Sequence, residues 1–420
     1  SLQNCLLSTF TRRCISSRAQ KLENSVWTVF TPLAVKTNAV NLGQGFPDFS
    51  FHPSVLKNYQ SIEAHMMHQY CRSSGDLPLT TLVSKLFGHD LNYDPATEIV
   101  VTAGATNALY TILQCHIEEG DEVVLFSPHY DAYPVQVEQA GGKPVYVPIE
   151  EPKDEQDALD SNKWRIDPNR LEKSITTKTK MIVINNPHNP LGKVFTREEL
   201  EQIASIAKKH DLIVVSDEVY EYLVFPSSPV QHTRIASLPG MRDRTITISS
   251  AGKTYSNTGW KIGWMAGSEA LVDSCAKSIQ YQIFCQASPL QRAVTRCLEQ
   301  DPTMAIPRET AIYLEERYNQ LKPLLESQNM MTVRPYSGYF TLSRIDHIRF
   351  PRAENSANTR DYDFCLWMPQ GVGVCAIPPS AFYAHEHKHL ADKWARFSFA
   401  KMESTIAAAE AGLNKLKKYI

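Results

Sequence analysis

Six apolar runs rich in β-branched residues recur along the chain, and segments with helical spacing separate them. The runs are "EIVVTAG" (98–104), "DEVVLFSP" (121–128), "KPVYVPI" (143–149), "KMIVINNP" (180–187), "DLIVVSDE" (211–218) and "RTITISSAG" (244–252). Near-continuous apolar character is typical of strands that are buried on both faces. Strands that alternate with helices form parallel sheets. The sequence therefore predicts an α/β fold whose large domain has a mostly parallel central sheet.

The segments between and after these runs set the predicted organisation of the chain. A helix is predicted over 196–210, where Thr196 and Glu199 have the spacing of a capping box. The polar residues 150–165 predict a surface loop. After about residue 315, long helices with short strands at "SGYFTLSRI", "GVCAIPP" and "ARFSFAK" predict a smaller α+β domain. We expect four segments. Residues 1–22 form a tail or a targeting segment, and residues 23–50 form an arm that joins the small domain. Residues 51–315 form the large domain, and residues 316–420 form the small domain.

Composition excludes several classes of protein. The 420 residues are 43% hydrophobic and 21% charged, which is ordinary for a globular chain and rules out wholesale disorder. A net charge of −2 gives no electrostatic reason to expect nucleic acid or an anionic membrane as partner. Nine scattered cysteines without a CxxC pair indicate free thiols in a reducing compartment. No apolar run approaches the roughly 20 residues that cross a bilayer.

The N-terminus has a different composition from the rest of the chain. Residues 1–22 carry Arg12, Arg13, Arg18 and Lys21 among several serines and threonines, and the first acidic residue is Glu23. This is the composition of a mitochondrial transit peptide, although a basic tail has it too. The sequence leaves a mitochondrial and a cytoplasmic location open.

Polar side chains collect directly after the predicted strands. Gly104, Ala105, Thr106 and Asn107 follow the first strand and open a helix, and His129 and Tyr130 follow the second. The later strands are followed by Asn185 and Asn189, by Asp217 and Tyr220, and by Ser249, Ser250 and Lys253. Because open parallel sheets bind ligands outside the carboxyl ends of their strands, we expect these residues in one crevice.

Each of these residues also has an ordinary structural interpretation. Asp217 could cap a helix, and the asparagines next to prolines could belong to turns. Lys253 could be a surface lysine, but its small neighbours suit a desolvated amine whose lowered pKa favours Schiff-base chemistry. Lys261, between tryptophans, could extend along an apolar surface or bind an anion.

Taken together, the residues match the needs of one cofactor. A lysine for a Schiff base, a carboxylate for a pyridinium nitrogen and a helix N-terminus for a phosphate are the requirements for binding pyridoxal 5'-phosphate (PLP). The sequence predicts that one of these two lysines carries the cofactor and that the other holds its phosphate.

The sequence resembles the fold-type I (class I) PLP-dependent aminotransferases, most closely the group of kynurenine aminotransferases, glutamine transaminase K and cysteine-conjugate β-lyases. The matching stretches are "VNLGQGFPDF" (40–49), "NPHNPLGKVFTREEL" (186–200), "SDEVYEYLVF" (216–225), "SSAGKTYSNTGWKIGW" (249–264), "AIPPSAFY" (376–383) and "ARFSFAK" (395–401). They cover the chain from about residue 25 to its end in the order and spacing of the family.

The resemblance implies a set of roles around the cofactor. Lys253 would bond covalently to PLP, and Asp217 would keep its pyridine nitrogen protonated. Asn189 and Tyr220 would hydrogen-bond the ring oxygen, and Tyr130 would stack on the ring. The phosphate contacts implied by the family are Ser250, Lys261, the backbone N–H groups of Ala105 and Thr106, and Tyr70 from a second subunit of a homodimer.

The resemblance also implies the substrate site and the reaction. Arg396 would bind the substrate α-carboxylate bidentately, and the Gly45 backbone and Trp27 would close the amino-acid pocket. The implied activity is a ping-pong transamination from kynurenine, glutamine, methionine or aromatic amino acids to a 2-oxo acid, with Lys253 as the general base. Cysteine-S-conjugate β-lyase activity is the alternative, as a main or a side activity.

This chain departs from the family at three places. Ala105-Thr106-Asn107 stands where many members have a small residue, a tyrosine and another small residue. His129 precedes Tyr130 where phenylalanine is common, and Gln286-Ala287 replaces an aromatic residue and a histidine of some members. These positions bear on substrate recognition rather than on cofactor anchoring.

Other motifs in the chain point to different chemistry and are weaker. "HEHKH" (385–389) contains the H-E-x-x-H zinc motif, but no third ligand stands out, so no metal is predicted. "GQG" and "GVG" lack the G-x-G-x-x-G spacing of a nicotinamide site. A binding or regulatory protein on the same fold could dispense with Lys253, Asp217 or Arg396, and this chain has all of them.

Overall fold

The computed structural model describes residues 16–20, 22, 24–62 and 68–420. The strands in these ranges are β1 Val40–Asn41, β2 Ile99–Thr102, β3 Glu122–Ser127, β4 Lys143–Glu150, β5 Arg165–Ile166, β6 Thr179–Asn185, β7 Ile213–Asp217, β8 Thr245–Ser250, β9 Gly263–Ala266, β10 Phe340–Arg344, β11 Val374–Cys375 and β12 Trp394–Ser398. All six predicted apolar runs contain a strand.

The main sheet has eight strands in the order β2-β9-β8-β7-β6-β3-β4-β5. The strands from β8 to β4 pair in parallel, whereas β9 is antiparallel to both of its neighbours and β5 is antiparallel to β4. The prediction of an α/β fold with a mostly parallel sheet is confirmed. The sequence pattern did not predict β9, because its four residues follow the lysine-containing stretch without an alternating pattern.

Helices connect the strands and cover both faces of the sheet. In the described ranges they are α1 Ser17–Gln20, α2 Val26–Thr37, α3 Pro53–Gln60, α4 Leu77–Leu91, α5 Ala105–His116, α6 Ala132–Gln139, α7 Glu155–Ala158, α8 Pro168–Ser174, α9 Arg197–Lys209, α10 Ala251–Thr254, α11 Glu269–Ile283, α12 Ser288–Gln300, α13 Ala305–Glu326, α14 Arg360–Gly371 and α15 Glu403–Leu413. Within these ranges, no helix combines the length and apolar character needed to cross a membrane.

Residues near both ends of the chain pack together beside the main sheet. β10 and β12 form an antiparallel pair, and β1 pairs in parallel with β11 through Val40 and Val374. Side chains from α2, α13, α14 and α15 share one apolar cluster with these strands. The predicted domain division at residue 315 falls inside the continuous helix α13, and the proposed boundaries stay predictions. Most of the predicted segment 1–22 lies outside the described residues.

The expectation of a surface loop over 150–165 is wrong in part. Asp154 caps α7 with its side chain, and Trp164 is buried with its indole N–H donating to the Ala158 carbonyl over 3.0 Å. The Trp164 ring packs against Trp394, with centroids 6.1 Å apart. The sequence pattern did not predict the burial of this tryptophan, because the residues on either side of it are charged.

The strand order brings the carboxyl ends of β6, β7 and β8 together. Asn185 lies opposite Asp217, and Asp217 lies opposite Ile248 in the next strand. β2 ends at Thr102 near the turn from which α5 begins. Because parallel strands point their carboxyl ends to the same edge, the polar residues that follow them share one crevice.

The predicted capping box at the start of α9 is present and offers a test of local stability. Thr196 Oγ accepts from the Glu199 N–H over 3.2 Å, and Glu199 Oε2 accepts from the Thr196 N–H over 2.9 Å. Thr196→Ala leaves the Glu199 N–H without its acceptor and lowers the free energy of unfolding by about 1 kcal/mol. The control Thr196→Ser keeps the hydroxyl and the stability. Thermal unfolding followed by circular dichroism compares them, and equal midpoints for all three proteins would contradict the expectation.

Candidate active site

A cavity of about 190 Å³ opens at the carboxyl ends of the parallel strands. It is lined by these sequence-predicted residues: Ala105, Thr106, Tyr130, Asn189, Asp217, Tyr220, Ser250, Lys253 and Lys261. They lie at or after the carboxyl ends of five strands, β2, β3, β6, β7 and β8. The crevice expected from the sheet topology is therefore formed by the residues that the sequence singled out.

Asp217 is the carboxylate of the cavity, at the end of β7. Tyr133 donates its hydroxyl hydrogen to Asp217 Oδ2 over 2.5 Å, and the Val219 N–H lies 3.4 Å from Oδ1. Burial raises the pKa of the Asp217 carboxyl, while the Tyr133 and Val219 hydrogen bonds and the Lys253 charge act in the opposite direction. A ligand with a cationic N–H group would relieve the cost of this buried charge.

Lys253 supplies the amine, from the short helix α10. Its Nζ lies 4.9 Å from the centre of the Tyr339 ring and 5.5 Å from that of Tyr220. Burial lowers the pKa of Lys253 to about 8, the Asp217 carboxylate opposes this, and the positive charges of Lys261 and Arg396 lower the pKa further. An amine with such a pKa is deprotonated in a useful fraction near neutral pH and can act as a nucleophile or base.

The N-terminus of α5 and Lys261 form a cradle for an anion. Gly104 precedes the helix with a φ of +78°, and no side chain caps the helix there. A Cβ on Gly104 would lie 3.2 Å from Lys261 Nζ, so the ammonium group sits directly beside the helix end. Lys261 itself has a φ of +56°, and Gln286 Nε2 donates to its carbonyl over 2.6 Å. Because the positive end of the α5 helix dipole and the Lys261 ammonium group converge here, the cradle favours a phosphate or a carboxylate.

Polar and aromatic groups complete the cavity wall. Asn185 Nδ2 donates to the Asp217 carbonyl over 2.9 Å, and Asn185 Oδ1 accepts from the Asn189 N–H over 2.7 Å. Asn189 Oδ1 is buried with no hydrogen-bond partner, which marks it as a group that a ligand could satisfy. Tyr130 stands edge-on to Tyr133 with ring centroids 5.7 Å apart.

Arg396 lies beside this cavity on β12 and is 1% exposed. Its guanidinium carbon is 3.9 Å from the centre of the Phe340 ring, 4.6 Å from Phe382 and 5.4 Å from Trp27. One Nη donates to the Gly43 carbonyl over 3.0 Å, whereas Nε has no partner. Burial lowers the pKa of Arg396 to about 9. A buried cation with a free donor is suited to a carboxylate ligand.

The other two predicted substrate residues lie around Arg396. Trp27 is in α2, whose N-cap Ser25 donates its hydroxyl hydrogen to Asp131 Oδ2 over 3.0 Å. A Cβ added to Gly45 would collide with the Phe340 ring, so only glycine lets this backbone approach the aromatic group. Trp27 and the Gly43 carbonyl of the N-terminal segment thus lie next to Arg396.

Tyr70 is not among the residues that line the cavity. Its side chain is 80% exposed, and its ring packs against Phe284 with centroids 4.7 Å apart. Phe284 immediately precedes the Cys285-Gln286 turn that supports Lys261. In a single chain, Tyr70 therefore contacts none of the groups of the cradle.

Sequence reasoning missed several residues of the site. Tyr133, which holds Asp217, lies one helical turn after Tyr130, and this spacing was the available signal. Tyr339 lies just before β10 and contacts Lys253. Phe340 is the first residue of β10 and contacts Arg396. No local pattern marked them, because only the packing of residues near the C-terminus against the main sheet brings them close.

The residues at which this chain departs from the family have defined contacts. Thr106 and Tyr130 both line the cavity, and Asn107 Nδ2 donates to Gln282 Oε1 over 3.1 Å. His129 is buried and stacks on Tyr146 with centroids 5.6 Å apart, and burial lowers the pKa of His129 to about 4. A neutral imidazole thus takes the place of an apolar ring behind the cavity.

Two further groups of residues have side chains of the kinds that ligate metals. "HEHKH" lies in a surface 3₁₀-helix, His385–Ala391, where residues four apart point about 120° away from each other. The Glu218, Glu221 and His232 side chains lie within 4.8 Å of one another. Arg234 forms ion pairs with both carboxylates, so a guanidinium already balances this buried charge.

Comparison with known proteins assigns the family. The family described as aminotransferase class I and II matches residues 37–409. The chain belongs to this family. Kynurenine--oxoglutarate transaminase of Dictyostelium discoideum is 38% identical over 424 residues, which cover 96% of each chain. The resemblance noted in the sequence is thereby confirmed, and the protein is an aminotransferase of the transferase class.

Solved structures agree with this assignment. Bna3p from Saccharomyces cerevisiae superimposes with a TM-score of 0.90 at 32% identity, covering 97% of this chain and 99% of the yeast chain. YbdL from Escherichia coli, for which a methionine aminotransferase function is identified, has a TM-score of 0.82 at 29% identity over 96% and 99% of the two chains. These matches confirm the predicted fold over nearly the whole chain.

The electrostatics of this aminotransferase cavity predict the reactivity of Lys253. In the cofactor-free protein the Lys253 amine should acetylate with a midpoint near pH 8, against about 10.4 for a free lysine side chain. Asp217→Asn removes the negative charge that raises the pKa and shifts the midpoint below that of the wild type. Competitive acetylation over a pH series, read by mass spectrometry, measures both.

The matched control for this measurement is Asp211→Asn, an exposed aspartate on the turn before β7. This variant should leave the Lys253 midpoint unchanged. A wild-type midpoint near 10.4 would show that Lys253 is fully hydrated and would contradict the burial argument.

Proposed function

We propose that this aminotransferase uses PLP to transfer the amino group of kynurenine to a 2-oxo acid by a ping-pong mechanism. The observation that carries the proposal is the cavity in which the Lys253 amine, the Asp217 carboxylate and the Lys261 cradle face one another. The family supports a PLP-dependent reaction, and the transaminase name of the Dictyostelium relative supports kynurenine as the donor.

The residues present fit the three binding groups of PLP. The desolvated Lys253 amine suits its aldehyde, and the Asp217 carboxylate suits its ring nitrogen. Asn189 Oδ1, unpartnered and buried, lies on the same cavity wall as the Tyr220 side chain and suits the polar ring substituent. The uncapped α5 N-terminus, Lys261 and Ser250 suit its phosphate.

The charges around the cavity favour anionic ligands. The positive groups are Lys253, Lys261 and Arg396, and they interact across the site because each of the last two lowers the pKa of Lys253. Asp217 is the single carboxylate among the lining residues. An added phosphate and a substrate carboxylate would offset the excess positive charge.

Bound PLP supplies an electron sink that stabilises negative charge at the substrate Cα. Lys253 Nζ, once free, removes the proton from Cα, and its lowered pKa keeps it unprotonated for this task. Asp217 keeps a proton on the ring nitrogen, and the Tyr133 hydroxyl holds the carboxylate in place. Tyr130, which lines the cavity, would cover one face of the ring.

Arg396 and its aromatic neighbours would select the substrate. The guanidinium binds the α-carboxylate, and the rings of Trp27, Phe340 and Phe382 exclude water around it. Such rings suit an aromatic amino acid, and glutamine and methionine remain further candidate donors. The transaminase names of the relatives favour transamination over cysteine-conjugate β-lyase activity, since both would start from the same Cα proton removal.

A homodimer would supply Tyr70 to the phosphate of the opposite subunit. Tyr70, Tyr281 and Phe284 are exposed aromatic residues near the turn that supports Lys261. A cluster of this kind is typical of a surface that another chain covers. The proposed location is the mitochondrion or the cytoplasm, and a fusion of residues 1–25 to a reporter would distinguish the two.

Absorbance spectroscopy tests the cofactor and the donor together. Addition of L-kynurenine without oxo acid to the PLP-loaded protein should replace the band of lysine-bound cofactor by that of pyridoxamine phosphate. Lys253→Ala should not make this change, and its turnover should fall at least roughly 100-fold. The control Lys277→Ala removes an exposed lysine and should behave as the wild type. An unchanged spectrum with kynurenine, but a change with glutamine or methionine, would overturn kynurenine as the donor and keep the aminotransferase assignment.

Subunit complementation tests the homodimer and Tyr70. Lys253→Ala and Tyr70→Ala proteins should each have low activity alone. A hybrid dimer of the two has one site with an intact Lys253 from one subunit and an intact Tyr70 from the other, so activity should return. If Tyr70 acted within its own subunit, every site of the hybrid would be defective and no activity would return. Light scattering during size exclusion gives the mass of the assembly.

A further inference from the structure

Lys261, the cation of the cradle, has a backbone conformation that is rare for a residue with a Cβ. Its φ is +56° and its ψ is +41°, in the left-handed region. Such a conformation persists where surrounding contacts hold it, and it is often found at functional sites. Because Lys261 is an exposed residue, its side chain contributes little packing. The conformation therefore depends on contacts of the backbone.

The side chain of Gln286 supplies such a contact. Its Nε2 donates to the Lys261 carbonyl over 2.6 Å, and Gln286 is only 9% exposed. The carbonyl of the next residue, Ile262, accepts from the Ala251 N–H over 3.1 Å and from the Ser250 hydroxyl over 3.3 Å. Two consecutive carbonyls are thus held, and the lysine between cavity and backbone has its ammonium group beside the start of α5.

A second unusual conformation brings Gln286 to this place. Phe284, which follows α11, has a φ of +64° and a ψ of −63°. The Cys285 N–H donates to the Ile283 carbonyl over 2.8 Å, which closes a γ-turn of the rare, strained kind. The turn reverses the chain at the end of α11, so that Gln286, two residues later, reaches the Lys261 carbonyl. Two strained residues are therefore joined through one glutamine side chain.

Gln291 holds Gln286 from the other side. It lies near the start of α12 and is fully buried. Its Nε2 donates to the Gln286 carbonyl over 2.7 Å and lies 3.1 Å from Cys71 Sγ. Its Oε1 accepts from the Asp76 N–H over 2.8 Å. The segment that follows Tyr70 is thereby tied to the same side chain that fixes Gln286.

We propose that Gln286 and Gln291 are positioning residues for the cofactor phosphate, an inference that rests on the proposed use of PLP. Gln286 holds Lys261 in the left-handed conformation, and Gln291 holds Gln286. This changes the expected role of position 286, which the family resemblance connected with substrate recognition. In this chain the glutamine contacts the lysine of the anion cradle.

The proposal separates the phosphate from the rest of the cofactor. Without the Gln286 N–H, the Lys261 carbonyl loses its donor, and the lysine is free to leave the left-handed region. Its ammonium group then moves away from the α5 N-terminus. Lys253 and Asp217 follow other strands and have no contact with Gln286. Pyridoxal, which lacks the phosphate, should therefore bind as before.

Titration of the cofactor-free protein with PLP and with pyridoxal, followed by the absorbance of the lysine-bound cofactor, tests this. Gln286→Met keeps the length of the side chain and removes the donor. Its dissociation constant for PLP should rise about 10-fold, the effect of one hydrogen bond, while that for pyridoxal stays unchanged. Inorganic phosphate should also compete with PLP less well in this variant. The matched control Gln300→Met changes an exposed glutamine of the same helix as Gln291 and should bind both compounds as the wild type does.

Gln291→Met tests the second link of the chain. It removes the donor to the Gln286 carbonyl and the acceptor of the Asp76 N–H, so its affinity for PLP should fall in the same direction. Because Gln291 is fully buried, thermal unfolding checks that this variant folds. Gln286→Met lies at the edge of the core and carries the test if Gln291→Met does not fold.

Equal PLP dissociation constants in the wild type and Gln286→Met would overturn the proposal. An equal loss of affinity for PLP and for pyridoxal would overturn it as well, since that result indicates a general loosening of the cavity. A wild-type protein that bound no PLP would instead overturn the proposed function, and this proposal with it. The readouts are binding constants, so none of them depends on turnover or on the identity of the amino donor.

Discussion

The buried carboxylate of Asp217 is the group on which the arrangement of the site depends. Its side chain accepts the Tyr133 hydroxyl hydrogen, and its carbonyl accepts from Asn185 Nδ2 and from the Asn186 N–H over 3.0 Å. Asp217 therefore joins the ends of β6 and β7 to α6. Because a buried charge is costly unless it is paired, the fold must present a cation to it, and this requirement places Lys253.

The balance of charge explains how one cavity can serve binding and chemistry. Lys261 and the α5 N-terminus attract an anion, while burial, together with the charges of Lys261 and Arg396, lowers the pKa of Lys253 to about 8. The same positive potential extends to Arg396, whose guanidinium group packs against aromatic rings. One excess of positive charge thus favours an anionic ligand and activates the amine.

Local sequence patterns were enough to predict much of the fold and of the cavity. The apolar runs predicted the parallel strands, and strand ends predicted the positions of Asp217, Asn189 and Lys253. The four-residue strand β9 and the burial of Trp164 were not predicted, because neither has a periodic sequence pattern around it. Tyr339 and Phe340 were not predicted as site residues for another reason. They contact Lys253 and Arg396, respectively, only because segments distant in sequence pack together.

The sequence by itself determined the kind of site, since strand and helix order alone sends the polar residues to one edge of a parallel sheet. Family motifs added the expectation that Arg396 and Trp27 border it. Only the tertiary structure decided the burial of Lys253, the bond from Tyr133 to Asp217 and the aromatic rings around Arg396. These properties depend on which atoms lie within a few ångströms, and chain segments far apart in sequence supply them.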